Sequence, residues 1–184
     1  MRVIAGTARS MPLKAPRGLD TRPTTDRIKE TLFNMIQSYV PDGIFVDLYS
    51  GSGGIGIEAL SRGARHAYFV DNDSSAHKCI MENLQFTKLE PASTVLKQDV
   101  YTALSLIHEK SVDVIFADPP YEAGYEPGLL QTLSRMDFVT DETLIIIEAL
   151  MDTDFSFADS MGFDVIKEKC YKSNKHVWLM RKEA

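Results

Sequence analysis

Four aspartates stand at or beyond the ends of four successive short apolar runs. Asp47 lies one residue inside the end of the run 44–48, and Asp71, Asp99 and Asp118 follow the runs 67–70, 94–97 and 112–117. Each run is rich in β-branched or aromatic residues, as buried parallel strands are. In an open parallel sheet, ligands bind beyond the carboxyl ends of the strands, so this spacing directs four carboxylates at one crevice. Such a crevice suits a ligand carrying positive charge, hydroxyls or amino groups. Each Asp taken singly could instead cap a helix or a loop.

The loop after the first run reads Asp47-Leu-Tyr-Ser50-Gly51-Ser52-Gly53-Gly54-Ile-Gly56. Gly51, Gly53 and Gly56 give G-x-G-x-x-G between a strand and a helix start, a backbone able to turn tightly against a nucleotide-type ligand. Asp71, followed by Asn72, lies twenty residues past Gly51, where a carboxylate can accept both ribose hydroxyls. Nicotinamide and flavin enzymes share both features. Asp47 separates the classes, because extra carboxylates would repel a pyrophosphate. S-adenosylmethionine has no phosphate and carries a sulfonium and an ammonium, so it fits an acid-lined site. No metal site is expected, since four His and two Cys are scattered without ligand spacing.

The most specific signal is Asp118-Pro119-Pro120-Tyr121. Two prolines fix φ and remove two N–H donors, leaving a stiff loop that presents carbonyl acceptors. Asp118 and the Pro119 carbonyl can both accept from a planar –NH2 and hold its nitrogen towards a methyl donor, while Tyr121 can stack on a base. The bland alternative is a Pro-Pro turn with a capping Asp and a core Tyr.

The elements that must position these residues follow from periodicity. Helices are predicted over 54–62, 75–86, 100–108 and 127–136, with Ser74 as N-cap of the second and Gly63 closing the first. Another is predicted over 25–39, capped by Thr24 or Thr25 and ended by Pro41-Asp42-Gly43. A fifth strand is expected at 144–147. The runs 163–171 and 175–180, separated by Lys-Ser-Asn, read as a terminal hairpin. Regular strand–helix alternation predicts an α/β, doubly wound, mostly parallel sheet with an antiparallel hairpin at its end. Residues 1–20, with Gly6, Pro12, Pro16 and Gly18, read as a β-hairpin or irregular arm outside the core.

Charge is divided along the chain. The net charge is −6, yet residues 1–29 hold seven Lys and Arg against Asp20 and Asp26, residues 30–162 hold seven against twenty-one acids, and residues 163–184 hold six against three. Basic ends on an acidic body fit a polyanion contacted by one face, or else simply a solvated arm. Arg9, Lys14, Arg17 and Arg22 are the candidate phosphate contacts, though Arg22 could equally pair with the acidic body. The 184 residues suffice for one domain, read as 1–184 with 1–23 as a basic arm. No run is long enough to span a bilayer, residues 1–6 show no signal-peptide core, and neither cysteine belongs to a CxxC. A cytoplasmic monomer that meets no membrane is expected.

At these motifs the chain resembles the Rossmann-like DNA and RNA amino-methyltransferases. Arg22-Pro23-Thr24-Thr25-Asp26-Arg27, Glu30-Thr31-Leu32-Phe33-Asn34 and Glu58-Ala59-Leu60-Ser61-Arg62-Gly63-Ala64, with the glycine loop and Asp118-Pro119-Pro120-Tyr121, make it similar to the 16S ribosomal RNA guanine-N2 methyltransferase family, RsmD. The likeness runs through nearly the whole chain, although Ser10 and Met11 stand where the family's arm has Gly and Arg. It implies a Rossmann-like seven-stranded sheet and transfer of methyl from S-adenosylmethionine to N2 of guanine 966 in the small ribosomal subunit or its assembly intermediate. It further implies that Asp47 and the Ser50 to Gly53 loop border the methionine part of the cofactor, that Asp71 and Asn72 take the ribose, that Asp99 and Val100 take the adenine, and that Asp118 to Tyr121 hold the guanine. Alternatives that the residues leave open are another exocyclic base amine such as adenine N6, a non-catalytic RNA-binding assembly factor, and a nicotinamide-dependent oxidoreductase.

Overall fold

A computed structural model describes residues 1–16, 25–120 and 124–183. Seven strands form one sheet in the order β3-β2-β1-β4-β5-β7-β6. They are β1 (Ile44–Leu48), β2 (His66–Val70), β3 (Ser93–Leu96), β4 (Val114–Ala117), β5 (Leu144–Leu150), β6 (Phe163–Cys170) and β7 (Asn174–Arg181). The first five pair in parallel, and β7 runs antiparallel between β5 and β6. The doubly wound sheet with its terminal hairpin is therefore as the alternation predicted. Strand order reverses between β1 and β4, which opens a crevice at their carboxyl ends.

Period-two alternation divides each central strand between two cores. Ile44, Val46, Leu48, Ile115, Ala117, Ile145 and Ile147 face one, shared with helices α4 (Val100–Ser105) and α5 (Tyr125–Leu133). Phe45, Phe69, Phe116, Ile146 and Trp178 face the other, covered by α1 (Asp26–Met35), α2 (Gly54–Ser61) and α3 (Ser74–Thr87). Asp47 and Glu148 fall on this second face by the same alternation.

Three local readings change. The N-cap of α3 is Asp73, not Ser74, because the Asp73 carboxylate accepts from the backbone N–H groups of Ser75 and Ala76 at 2.8 Å. Helix α1 begins after Thr25, whose hydroxyl accepts from Ile28, but stops at Met35, and the chain turns over residues 36–43 with Gly43 donating to the Val40 carbonyl. Thr24, the other candidate cap, lies outside the described residues. The arm is packed rather than free. Arg2 bridges Pro12, and Val3, Ala8 and Leu13 are buried in the second core.

Glu58 on α2 anchors that arm. It accepts from the backbone N–H of Ile4 at 2.8 Å and of Ala5 at 3.0 Å, pairs with Lys29 of α1 at 3.3 Å, and accepts from Arg62 at 2.7 Å. Gly6 can approach here only without a side chain: its φ is +83° and an added Cβ would sit 1.7 Å from the Ser61 carbonyl oxygen.

Candidate active site

The glycine loop leaves β1 and enters α2 against the second strand. Gly56 lies flat on Phe69, and a Cβ there would meet the ring at 2.4 Å. This close approach lets the Gly56 N–H donate to the Asp47 carboxylate at 2.9 Å. Gly56→Ala should lower unfolding stability by about 1–3 kcal/mol through overpacking, read from urea midpoints. An unchanged midpoint would mean that Phe69 yields freely. Gly51 and Gly53 have φ of +55° and +76°, left-handed values that favour glycine. The Gly51 N–H donates to Asp71 at 2.9 Å, and the other Asp71 oxygen accepts from the Asp73 N–H at 2.9 Å, so this carboxylate is held over the loop. Ser50 ties the strand ends together, donating to the Asp47 carbonyl at 2.6 Å and accepting from the Val70 N–H at 2.8 Å.

These groups open onto a cavity of about 700 Å³, bordered by Asp47, Asp71 and Asp118. A cavity of this size suits a nucleoside-sized ligand. Ser50, Gly51, Ser52 and Asn72 border it too, as do Pro119 and Pro120. Gly53, the residue before α2, does not border it. The structure does not bring Asp99 and Val100 to the cavity wall. The Asp99 carboxylate caps α4, accepting from the Thr102 N–H at 3.0 Å and from its hydroxyl at 2.5 Å, and Val100 is buried in the first core.

Of the basic candidates, Arg9 is exposed on the arm, and Lys14 is exposed and paired with Glu82 at 2.8 Å. Neither borders the cavity, although Ala15 and Pro16 of the same arm do. Arg17, Arg22 and Tyr121 lie outside the described residues. Among the described residues, no three His, Cys, Asp or Glu side chains are grouped as metal ligands. No helix among them is long and apolar enough to cross a membrane.

The electrostatics favour a cation. Burial, reinforced by the charges of Asp118 and Asp71, pushes the Asp47 carboxyl well above the usual range despite the Gly56 N–H. Burial and the neighbouring charge of Glu148 push Asp118 up to about 8. Both acids resist ionising alone and would be relieved by a positive group between them. The donor set thus fits S-adenosylmethionine and opposes a pyrophosphate.

Sequence reasoning missed Glu148 on β5. It is 5% exposed, borders the cavity, and accepts from the Asn174 side-chain amide and at 3.1 Å from Nε2 of His176. The signal was present: the apolar run 144–147 is followed at once by an acid, as the runs ending at 70 and 117 are. Tyr171, just past β6, was missed as well; it borders the cavity with its ring 5.0 Å from that of His176.

Sheet order, glycine loop and acid-lined crevice together define a class I methyltransferase. The chain belongs to the family described as "Conserved hypothetical protein 95", the RsmD family, which it matches over residues 1–180. It is 37% identical over 171 residues to YlbH of Bacillus subtilis, a candidate rRNA methyltransferase, covering 92% of each chain. It is 33% identical over 151 residues to ribosomal RNA small subunit methyltransferase D of Escherichia coli, covering 81% of this chain and 74% of that one. Among solved structures, the candidate methyltransferase yhhF of Escherichia coli superposes with a TM-score of 0.85 at 29% identity, covering 99% of this chain and 98% of its own.

Proposed function

We propose that this protein transfers a methyl group from S-adenosylmethionine to the exocyclic N2 amine of a guanine in 16S ribosomal RNA, guanine 966 by family likeness, on the small subunit or its assembly intermediate. The observation that carries the reading is one cavity bordered both by the buried acids Asp47 and Asp118 and by the rigid Pro119-Pro120 turn. The relatives named for rRNA methylation support the substrate class. Two free cysteines and an RNA target fit a cytoplasmic setting.

Asp47 and the loop from Ser50 to Gly53 would hold the cationic, methionine end of the cofactor, and Asp71 with Asn72 the ribose. When bound, the cofactor supplies an electrophilic methyl carbon on a sulfur that leaves as neutral thioether. The protein's part is positioning, exclusion of water and management of one proton. Asp118 and the Pro119 carbonyl accept from the amine and aim its lone pair. As nitrogen gains its bond to carbon it becomes positive, and the Asp118 carboxylate stabilises that charge and can receive the departing proton. The target base must first leave its stack, and Arg9 and Lys14, with Arg17 and Arg22, would hold the backbone meanwhile.

The direct test incubates the protein with labelled S-adenosylmethionine and small subunits lacking their native modifications, then maps the label. One methyl on a guanine N2 of 16S ribosomal RNA is expected. Label on another base amine would reassign the substrate, and no transfer would favour a non-catalytic assembly role.

A further inference from the structure

We propose that Asp118, Glu148 and Tyr171 form a row that reads the edge of the target base as donor, donor, acceptor, which is the N2, N1, O6 edge of guanine. This rests on the proposed transfer to a guanine N2 amine and names the groups that would choose guanine there.

The row follows from the sheet. Asp118 and Glu148 each stand one residue beyond the paired positions Ala117 and Ile147 of neighbouring parallel strands. Across β5 the antiparallel register sets His176 of β7 opposite Glu148. Tyr171 follows β6, the next strand outward, and its N–H donates to the Asn174 carbonyl at 2.8 Å. Asp118, Glu148 and Tyr171 all border the cavity.

Each member has a defined hydrogen-bonding sense. Asp118 with the Pro119 carbonyl accepts from an amine. Glu148 is oriented by the Asn174 amide and His176, and an ionised carboxylate offers a base acceptors only. The Tyr171 hydroxyl is buried with no partner among the described residues, so it has a proton to give. Acceptor, acceptor, donor is the complement of guanine. Adenine and cytosine place a ring-nitrogen lone pair beside their amine, and a buried carboxylate facing a lone pair leaves two acceptors opposed. The match therefore selects guanine and rejects the other amine-bearing bases.

The test compares small subunits rebuilt with guanine or 2-aminopurine at the target position. 2-Aminopurine keeps the N2 amine but has a lone pair at N1 and no oxygen at C6. Transfer of labelled methyl gives kcat/KM for each, and thermal melts and S-adenosylmethionine titration confirm that each variant is folded and loaded. The wild type should prefer guanine by at least about tenfold. Glu148→Gln, whose amide can donate to N1, should lower the guanine rate and shrink that preference by about tenfold or more. Tyr171→Phe should lower the guanine rate several-fold and leave 2-aminopurine unchanged, since that base has no O6 to lose. A merely structural role would lower both substrates alike. Unchanged preference in both folded variants would overturn the row while leaving the methyl transfer intact. A wild type that modifies no guanine N2 would overturn both readings.

Discussion

Asp118→Ala and Asp118→Asn should lose methyl transfer by about 10²–10⁴-fold while still binding S-adenosylmethionine within about tenfold. The asymmetry follows from position. On the proposed reading, Asp47 and the glycine loop would hold the cofactor from β1, whereas Asp118 would meet the amine from β4; both carboxylates border the one cavity. Single-turnover label transfer measures the first quantity and equilibrium titration the second. Turnover near wild type in either variant would remove Asp118 from the chemistry. The same side chain links activity to stability. Its carboxyl is held at about 8 by burial and by Glu148, against about 3.9 in an unfolded chain. The folded protein therefore binds that proton more tightly than the unfolded chain. The resulting stabilisation is complete below about pH 4 and is lost as pH rises towards about 8. Asn carries no proton to lose, so the stability of Asp118→Asn relative to wild type should rise between pH 5 and pH 8, read from urea midpoints. A difference that stays flat with pH would show that the carboxyl ionises freely. Calorimetry in buffers of different ionisation enthalpy adds a third reading: near pH 7 the wild type should release protons on binding the cationic cofactor, and Asp118→Asn should release fewer.

The legible part of this molecule was what period and turn chemistry encode. Short β-branched runs separated by amphipathic segments can only be a wound parallel sheet, and once it is, every residue just past a strand points at the crevice. Asp47, Asp71, Asp118 and the two prolines were visible for that reason. Asp99 obeyed the same spacing yet took the local option: with Thr102 three residues on, capping α4 satisfies both oxygens at once. Spacing cannot separate these outcomes. Glu148 stands just past the fifth run as Asp71 and Asp118 stand past theirs, so spacing made it equally legible, and only its type, Glu among aspartates, set it apart. Tyr171 was hidden because a hairpin residue becomes a cavity wall only after β7 inserts between β5 and β6, a long-range pairing. The arm was misplaced for a related reason. Its Gly and Pro content marks turns correctly, but the arm is tied down by Glu58 accepting from Ile4 and Ala5, more than fifty residues away in the chain. Ser10 illustrates the arm's tolerance: it holds φ of +68° where the family's pattern has glycine, a mild strain the packed turn carries.

Glu58→Ala should be among the most destabilising substitutions in the chain, costing about 3–5 kcal/mol of unfolding free energy. Lys29 is 1% exposed, and burial already draws its ammonium below the usual lysine range. Removing Glu58 leaves that group with the Arg2 carbonyl at 2.5 Å as its remaining close acceptor, and strips the Ile4 and Ala5 N–H groups of theirs. Lys29→Met removes the cation but leaves Glu58 bonded to both N–H groups and to Arg62, so it should cost distinctly less. The order of the two losses is the discriminating quantity. Equal losses would mean that the pair acts as a simple ion pair and that the arm is held by its apolar contacts alone. Amide exchange gives the local readout: at a denaturant concentration where Glu58→Gln remains folded, Ile4 and Ala5 should exchange faster than in Lys29→Met. The arm lies against the first helix after the glycine loop and lends Ala15 and Pro16 to the cavity rim. Its docking thus sets residues 15 and 16 on the rim of the cavity that Asp118 borders, which is where loss of Glu58 should be felt at the site.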